Sequence, residues 1–387
     1  MLDQAHALQE ALRSWRRHLH QHPELGFQEY QTARFISERL AEMGIEAQTG
    51  VGKTGVVAEI GGDGPIVAIR ADIDALPILE ETGASYCSLT PGTMHACGHD
   101  AHTAIVLGAA KLLKDAAIPG RIRLLFQPCE ETVDDEGKGG ADRMVEDGAM
   151  EGVRAVIGLH VDPALPAGHV AVGPGTIAAA PDSFTAVIKG RGTHAAYPHT
   201  GIDPIWLASQ VLNAIYGLRG RQIDPFAPSV VTVGTIHGGT ADNIIPPEVT
   251  ITGTLRTFDQ ATRERLHAGL AAACAIARSF GGDYDLQIKR GCPPVINDEA
   301  VTATVRAEAA ALLGEDRVQR QLPQCGADDF SVLASIAPGC YFLLGVKCDG
   351  QEVYECHHPR FDIDETALPV GAAVLASAAL RLLRQVR

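Results

Sequence analysis

Apolar residues along the chain repeat with two periods. In the first segment Leu8, Leu12, Trp15 and Leu19 fall at three- and four-residue intervals, the spacing that lines one face of a helix. The same period predicts helices over 3–21, 28–43, 100–114, 300–313 and 365–384. Between them lie short apolar runs, at 56–60, 66–71, 122–127, 155–160 and 341–346, that read as buried strands. Such alternation predicts an α/β domain, a mixed and mostly parallel sheet between helical layers in an αβα sandwich. Several strands end in polar residues, as in "RADID", "QPCEE" and "GLHVD". Ligands of open α/β sheets gather at such carboxyl ends.

The middle of the chain has another pattern. Strands at 183–190, 229–236, 248–257 and 283–290 alternate with helices at 203–218 and from Asp259 to about 280. This order, β-α-β-β-α-β, is the split βαβ, ferredoxin-like motif. The expected organisation is therefore a discontinuous catalytic domain, 1–181 and 295–387, with an α+β domain inserted at 182–294. A length of 387 residues suits two cores better than one. "VDDEGKGG", 133–140, reads as a mobile acidic loop.

Composition narrows the partners. A net charge of −15 lacks the basic footprint that phosphate backbones need, so nucleic acid is not expected. No apolar run approaches the ~20 residues of a membrane span, so no membrane partner is expected. The first helix is amphipathic, unlike a signal peptide, which places the protein in the cytoplasm. The nine cysteines include no CxxC pair and read mostly as reduced core residues.

The densest chemistry lies in "MHACGHDAHT", with Cys97 and His99 two apart and His95 and His102 flanking. A thiolate and an imidazole so placed can share a borderline cation. They can equally be a nucleophile with its base. Glu130 and Glu131 in "CEE" repel unless a cation or proton relieves them. His160 closes the run "AVIGLH", and "ECHHPRF" holds Cys356, His357 and His358. Cys97, His99, Glu131, His160 and one of His357 and His358 are too many donors for one closed structural zinc site, and suit a two-metal site that activates water. A cysteine hydrolase has no need of the carboxylate pair. A mixed Cys/His/Glu set accepts Zn, Mn, Co or Ni.

These motifs, with "RRHLHQHPELGFQE", "AIRADIDALPI", "GTHAAYPH", "GGTADNIIP" and "GTLRT", run in order from residue 16 to 365. They resemble the two-metal amidohydrolases related to aminoacylases and carboxypeptidase-G-type metallopeptidases. The closest branch contains auxin–amino-acid conjugate hydrolases, hippurate hydrolase, N-acyl-amino-acid amidohydrolases and N-acetyldiaminopimelate deacetylase. The resemblance implies two divalent ions per subunit held by Cys97, His99, Glu131, His160 and His357, with His358 as the lesser choice. It implies Glu130 as general base and Asp74 as the carboxylate that orients a ligand. Asp72 stands where the wider group often has a metal histidine. The inserted domain resembles a lid and dimerisation domain, which implies a homodimer. There His194 matches a histidine that stabilises the tetrahedral intermediate, and Asn243 and Arg256 match substrate contacts. The implied substrate is a small N-acyl amino acid. A dipeptidase, carboxypeptidase or deaminase on the same site, or an inactive binding relative, are the alternatives.

Overall fold

The computed structural model describes residues 1–348, 350 and 352–385, so the last two residues of the expected catalytic segment lie outside the described residues. In chain order the elements begin with α1 (Leu2–His6), α2 (Gln9–Gln21), α3 (Tyr30–Glu42), β1 (Ala47–Val51), β2 (Gly55–Gly61), β3 (Ile66–Asp72) and α4 (His99–Leu113). There follow β4 (Arg121–Gln127), α5 (Gly140–Glu146), β5 (Val153–Pro166), β6 (Val170–Ala171) and β7 (Gly175–Ala178). The middle region holds β8 (Ala180–Lys189), β9 (Thr193–His194), α6 (Pro204–Gln222), β10 (Ser229–Gly238), β11 (Ile244–Ile245), β12 (Glu248–Thr257), α7 (Gln260–Ala275) and β13 (Asp283–Arg290). The chain ends with β14 (Val295–Asn297), α8 (Glu299–Leu313), β15 (Val318–Gln319), α9 (Phe330–Ile336), β16 (Gly339–Lys347) and α10 (Leu368–Gln385).

Two units result. The first comprises Met1–Gly175, Ile296–Leu322 and Asp329–Arg387, and the second Thr176–Val295 and Pro323–Asp328. The sequence reading did not foresee the transfer of Pro323–Asp328 to the second unit. Backbone bonds explain it: Gln324 N–H donates to Ile177 O and Ala179 N–H to Gly326 O.

The first unit is built on an eight-stranded sheet in the order β1-β2-β4-β3-β5-β16-β6-β15. Its centre is parallel, β4 with β3, β3 with β5 and β5 with β16. Antiparallel pairs flank that centre. Side-chain alternation places helices on both faces. Tyr341 of β16 stacks on Phe330 of α9, while Leu344, of opposite parity, faces Gly371 of α10. The α4 helix is buried along nearly its whole length, as a helix covered on all sides must be apolar all round.

The second unit is an antiparallel sheet, β10-β12-β8-β13, whose apolar face meets α6 and α7 around Phe184, Leu207, Val211, Ile251 and Leu270. Asp203 and Asp259 cap the two helices with their side chains.

Several expectations need correction. The first helix is broken at Ala7–Leu8, where Leu8 N–H bonds Ala5 O three residues back and tightens the turn. The helix from Asp259 becomes a 3₁₀ turn at Ile276–Phe280 before Gly281. The acidic loop is braced, since Asp134 accepts from Arg143 Nε at 2.8 Å and Nη2 at 2.6 Å and pairs with Lys53. The segment Glu365–Gln385 is long and apolar enough to cross a membrane, with mean hydropathy 1.7 over an 18-residue stretch, but 78% of that stretch is buried within the protein. It is a core helix.

Candidate metal centre

Strand ends and one helix N-terminus assemble the site. Asp72 closes β3, with Asp74 just beyond it. The chain leaving β4 turns at Cys129, whose φ of 46° is left-handed, a strained value for a non-glycine. Glu29 holds that turn by accepting the Cys129 N–H at 2.8 Å. Glu130 and Glu131 follow. Cys97 precedes α4, and His99 is its first residue. Gly98 between them has φ 84°, and a Cβ there would stand 2.4 Å from Val161 Cγ2. Only glycine fits that link. His160 comes from β5. The C-terminal strap is pinned by His357 N–H donating to Ala96 O at 2.7 Å, beside Cys97. His357 is also left-handed, with φ 69°.

The donors converge. Ligand-capable atoms of Cys97, His99 and Glu131 lie within 4.8 Å of one another, as do those of Cys97, His160 and Cys356. Cys97 Sγ belongs to both sets and stands 3.3 Å from His160 Nε2. His357 Nε2 lies 3.2 Å from Glu131 Oε1. Glu131 Oε1 and His99 Nε2 stand 3.8 Å apart, and each is buried without a hydrogen-bond partner among the described residues.

The outer contacts orient these atoms. His99 Nδ1–H donates to Asp74 O at 2.9 Å and Asp74 Oδ1 at 3.1 Å, leaving the Nε2 lone pair facing the cluster. His160 Nδ1–H donates to Val161 O at 2.7 Å, which frees its Nε2 as well. Asp74 Oδ2 accepts the Glu131 N–H at 3.0 Å. A ring whose second nitrogen is bound to a carboxylate or carbonyl is the usual state of a metal-ligating histidine.

The charge balance points the same way. Burial alone would lower the pKa of His99, but Asp72, Asp74 and Glu131 outweigh it and raise the value to about 10. Burial would raise that of Glu131, yet His357 and His99 hold it below the usual carboxylate range. The hydrogen bond to Cys356, burial, and the negative Glu131 and Glu130 push the Cys97 thiol well above its ordinary value. Carboxylates and thiols thus crowd around His99 Nε2, and a divalent cation in place of its proton relieves them. These residues fit a bound metal pair.

Asp72 has another role. Its oxygens accept from Arg70 Nη1 at 2.6 Å and His102 Nδ1 at 2.5 Å, and His102 Nε2 accepts the Val161 N–H. Asp72 and His102 are therefore already satisfied and brace β3, α4 and β5 together. Arg70 also donates to Gln127 and Asp329, so the Asp329 of "DDF" is tied beneath the sheet end. His95 is buried, with both ring nitrogens lacking a partner among the described residues, and burial lowers its pKa to about 4. His358 lies outside the cluster, stacked on Tyr354, with Nδ1 accepting the Arg360 N–H.

In the second unit His194 pairs with Ile244 across β9 and β11, and Asn243 O accepts the Ala195 N–H at 3.0 Å. His194 and Asn243 thus share one exposed corner. His194 Nδ1 accepts the Ala196 N–H at 3.0 Å, which puts its proton on Nε2. Arg256 lies eight residues along β12 from Glu248, roughly 27 Å at strand rise, and bonds Leu255 O and Thr254 Oγ1.

Sequence reasoning left two contributors without a role, Cys356 in the donor cluster and Glu29 under the Cys129 turn. A thiol next to paired imidazoles, as in "ECHHP", was the available signal for the first. A glutamate between "GFQ" and a helix gave none for the second.

Residues 68–381 match Peptidase family M20/M25/M40. The chain is similar to N-acetyl-L-cysteine deacetylase of Bacillus subtilis (strain 168), at 43% identity over 381 residues, 97% of this chain and 89% of that one. It is similar to thermostable carboxypeptidase 2 of Saccharolobus solfataricus, at 41% over 378 residues, 95% and 94% of the two chains. Its fold is similar to that of the Bacillus subtilis YXEP protein, described as a dinuclear metal binding peptidase from the M20 family, with TM-score 0.85 and 37% identity over 98% of this chain and 99% of that one.

Proposed function

The chain belongs to peptidase family M20/M25/M40, and from that premise we propose that it hydrolyses the amide bond of small N-acyl amino acids with the help of two divalent ions. The observation that carries this reading is the convergence of Cys97, His99 and Glu131, with the buried His99 Nε2 and Glu131 Oε1 lacking hydrogen bonds among the described residues, next in sequence to Glu130. Likeness to a deacetylase of an N-acetyl amino acid supports the substrate class.

Cys97, His99, Glu131, His160 and His357 hold the ions, and Asp74 orients His99 and the Glu131 backbone. Two divalent ions held there would supply an acidified water and a polarised carbonyl. Glu130 takes the proton of the attacking water and returns it to the leaving amine. His194, protonated on Nε2, is the donor to the developing oxyanion. Asn243 and Arg256 contact polar groups of the substrate, Arg256 through a planar fork suited to a carboxylate. Among metals, zinc, manganese, cobalt and nickel suit a mixed donor set. The nine free thiols suit the reducing cytoplasm. A homodimer through the second unit is supported by β10, an edge strand that is mostly exposed.

Likeness to a carboxypeptidase favours a second reading, cleavage of a C-terminal residue. One assay separates them: amine release from N-acetyl, N-benzoyl and indole-acetyl amino acids and from dipeptides, with each metal added. The expected result is metal-dependent release from an N-acyl amino acid, with Glu130→Ala lowering kcat by about 10²–10⁴-fold at unchanged metal content. Preferential cleavage of the dipeptides moves the assignment to a peptidase. Full activity of Glu130→Ala removes Glu130 from the mechanism.

A further inference from the structure

Cys356 is not among the five ligands that the two-metal reading uses, yet it lies inside their cluster. Its sulfur, Cys97 Sγ and a ring nitrogen of His160 are mutually within 4.8 Å. The placement follows from backbone geometry: His357 N–H donates to Ala96 O at 2.7 Å, which sets the residue before His357 against the residue after Ala96. His160 presents Nε2 there, because Nδ1–H is bound to Val161 O. The opposite donor set, His99 and Glu131, carries nitrogen and oxygen only. The two halves of the site therefore differ in softness, with Cys97 shared between them.

We propose that Cys356 is a sixth metal ligand, forming with Cys97 and His160 a dithiolate–imidazole subsite that selects a borderline-soft ion such as zinc over manganese. Two thiolates and one imidazole are a zinc-type set with one position left open. Manganese prefers the harder His99–Glu131 side. The proposal rests on the reading of Cys97, His99, Glu131, His160 and His357 as holders of two ions.

The test uses the full chain. The protein is stripped with a chelator, reloaded with zinc or left bare, and treated with iodoacetamide, and alkylation is read cysteine by cysteine by mass spectrometry. Cys325, exposed in the second unit, is the internal reference. Cys356 is expected to be shielded by zinc while Cys325 is not. In parallel, cobalt-loaded wild type and Cys356→Ser are compared by their thiolate-to-cobalt charge-transfer absorption. Loss of one of two thiolates should lower that band by about half, and zinc affinity should fall by roughly a hundredfold or more, with manganese affinity nearly unchanged. If wild type binds two ions but Cys356 alkylates equally with and without zinc, or the cobalt band of Cys356→Ser equals that of wild type, Cys356 is not a ligand and the five-residue reading survives. If wild type binds no metal, the two-metal reading fails and this proposal with it. Should Cys356→Ser not fold, the alkylation of wild type decides alone.

Discussion

Asp74 divides its oxygens between two of the proposed ligands, one to the His99 ring and one to the Glu131 backbone. Asp74→Asn puts an N–H₂ where one of those acceptors stood, so either the His99 tautomer or the Glu131 turn must give way. Metal affinity is expected to fall about 10–100-fold, measured by equilibrium dialysis of the folded variant; an unchanged affinity would remove Asp74 from the site's support. Glu29 lies one step further out, fully buried, accepting from Thr54 Oγ1 and from Cys129 N. Burial raises its pKa to about 7. A carboxyl whose folded value is raised contributes stability that is complete below its unfolded value near 4.5 and is lost as pH rises through about 7. Glu29→Gln is neutral throughout. Between pH 5 and pH 8 the wild type should lose up to about 3 kcal/mol relative to the variant, and parallel stability curves from denaturant titrations would refute this. At this scale the sequence is informative where spacing is local. Cys97 and His99 lie two apart, and Glu131 adjoins Glu130. Cys356 was not legible as a contributor, because its approach to Cys97 depends on a backbone bond to Ala96 from the far end of the chain.

The α4 helix is the element on which the centre hangs. Its first residue is His99, and Cys97 stands just before the Gly98 that starts it. The entry depends on Gly98. Gly98→Ala must hold a left-handed φ, costing about 1–2 kcal/mol, and must displace Val161 from 2.4 Å, costing about 1–3 kcal/mol. A loss near 3 kcal/mol in urea unfolding is expected; a loss under 0.5 kcal/mol would show that the helix start can shift freely. Long periodic elements such as α4, α8 and α10 were readable from hydrophobic spacing. Three short ones were not: α5 and α9 span seven residues each, two turns, too few for a helical period to show, and β1, "AQTGV", lacks the apolar run that marks β2, β3 and β4. Their positions are fixed by tertiary bonds, as when Asp329 Oδ2 accepts the Ala141 N–H at the start of α5.

At the scale of the whole molecule, the insertion was readable because its β-α-β-β-α-β order interrupts a sheet that resumes at β15 and β16. The placement of Pro323–Asp328 was not, since the backbone bonds to Ile177 and Ala179 that hold it leave no periodic pattern in the sequence. The proposed dimer belongs to this scale too. Ile236 on the edge strand β10 is 50% exposed. Ile236→Lys places a charge on that edge and is expected to convert a dimer to a monomer in sedimentation velocity; a variant that sediments with the wild type would relocate the interface.

The wiring of the first unit also has a consequence for biosynthesis. Cys97, His99, Glu131 and His160 are translated early, whereas β16, which inserts between β5 and β6, and the strap bearing His357 come near the end. Roughly 200 residues separate His160 from His357, about 10–40 s of elongation at ~5–20 residues per second. Throughout that interval the nascent chain carries an incomplete donor set beside an unfinished sheet, while the inserted unit, Thr176–Val295 with Pro323–Asp328, is itself being made. The full set of proposed donors therefore exists only once the C-terminal strap has been made.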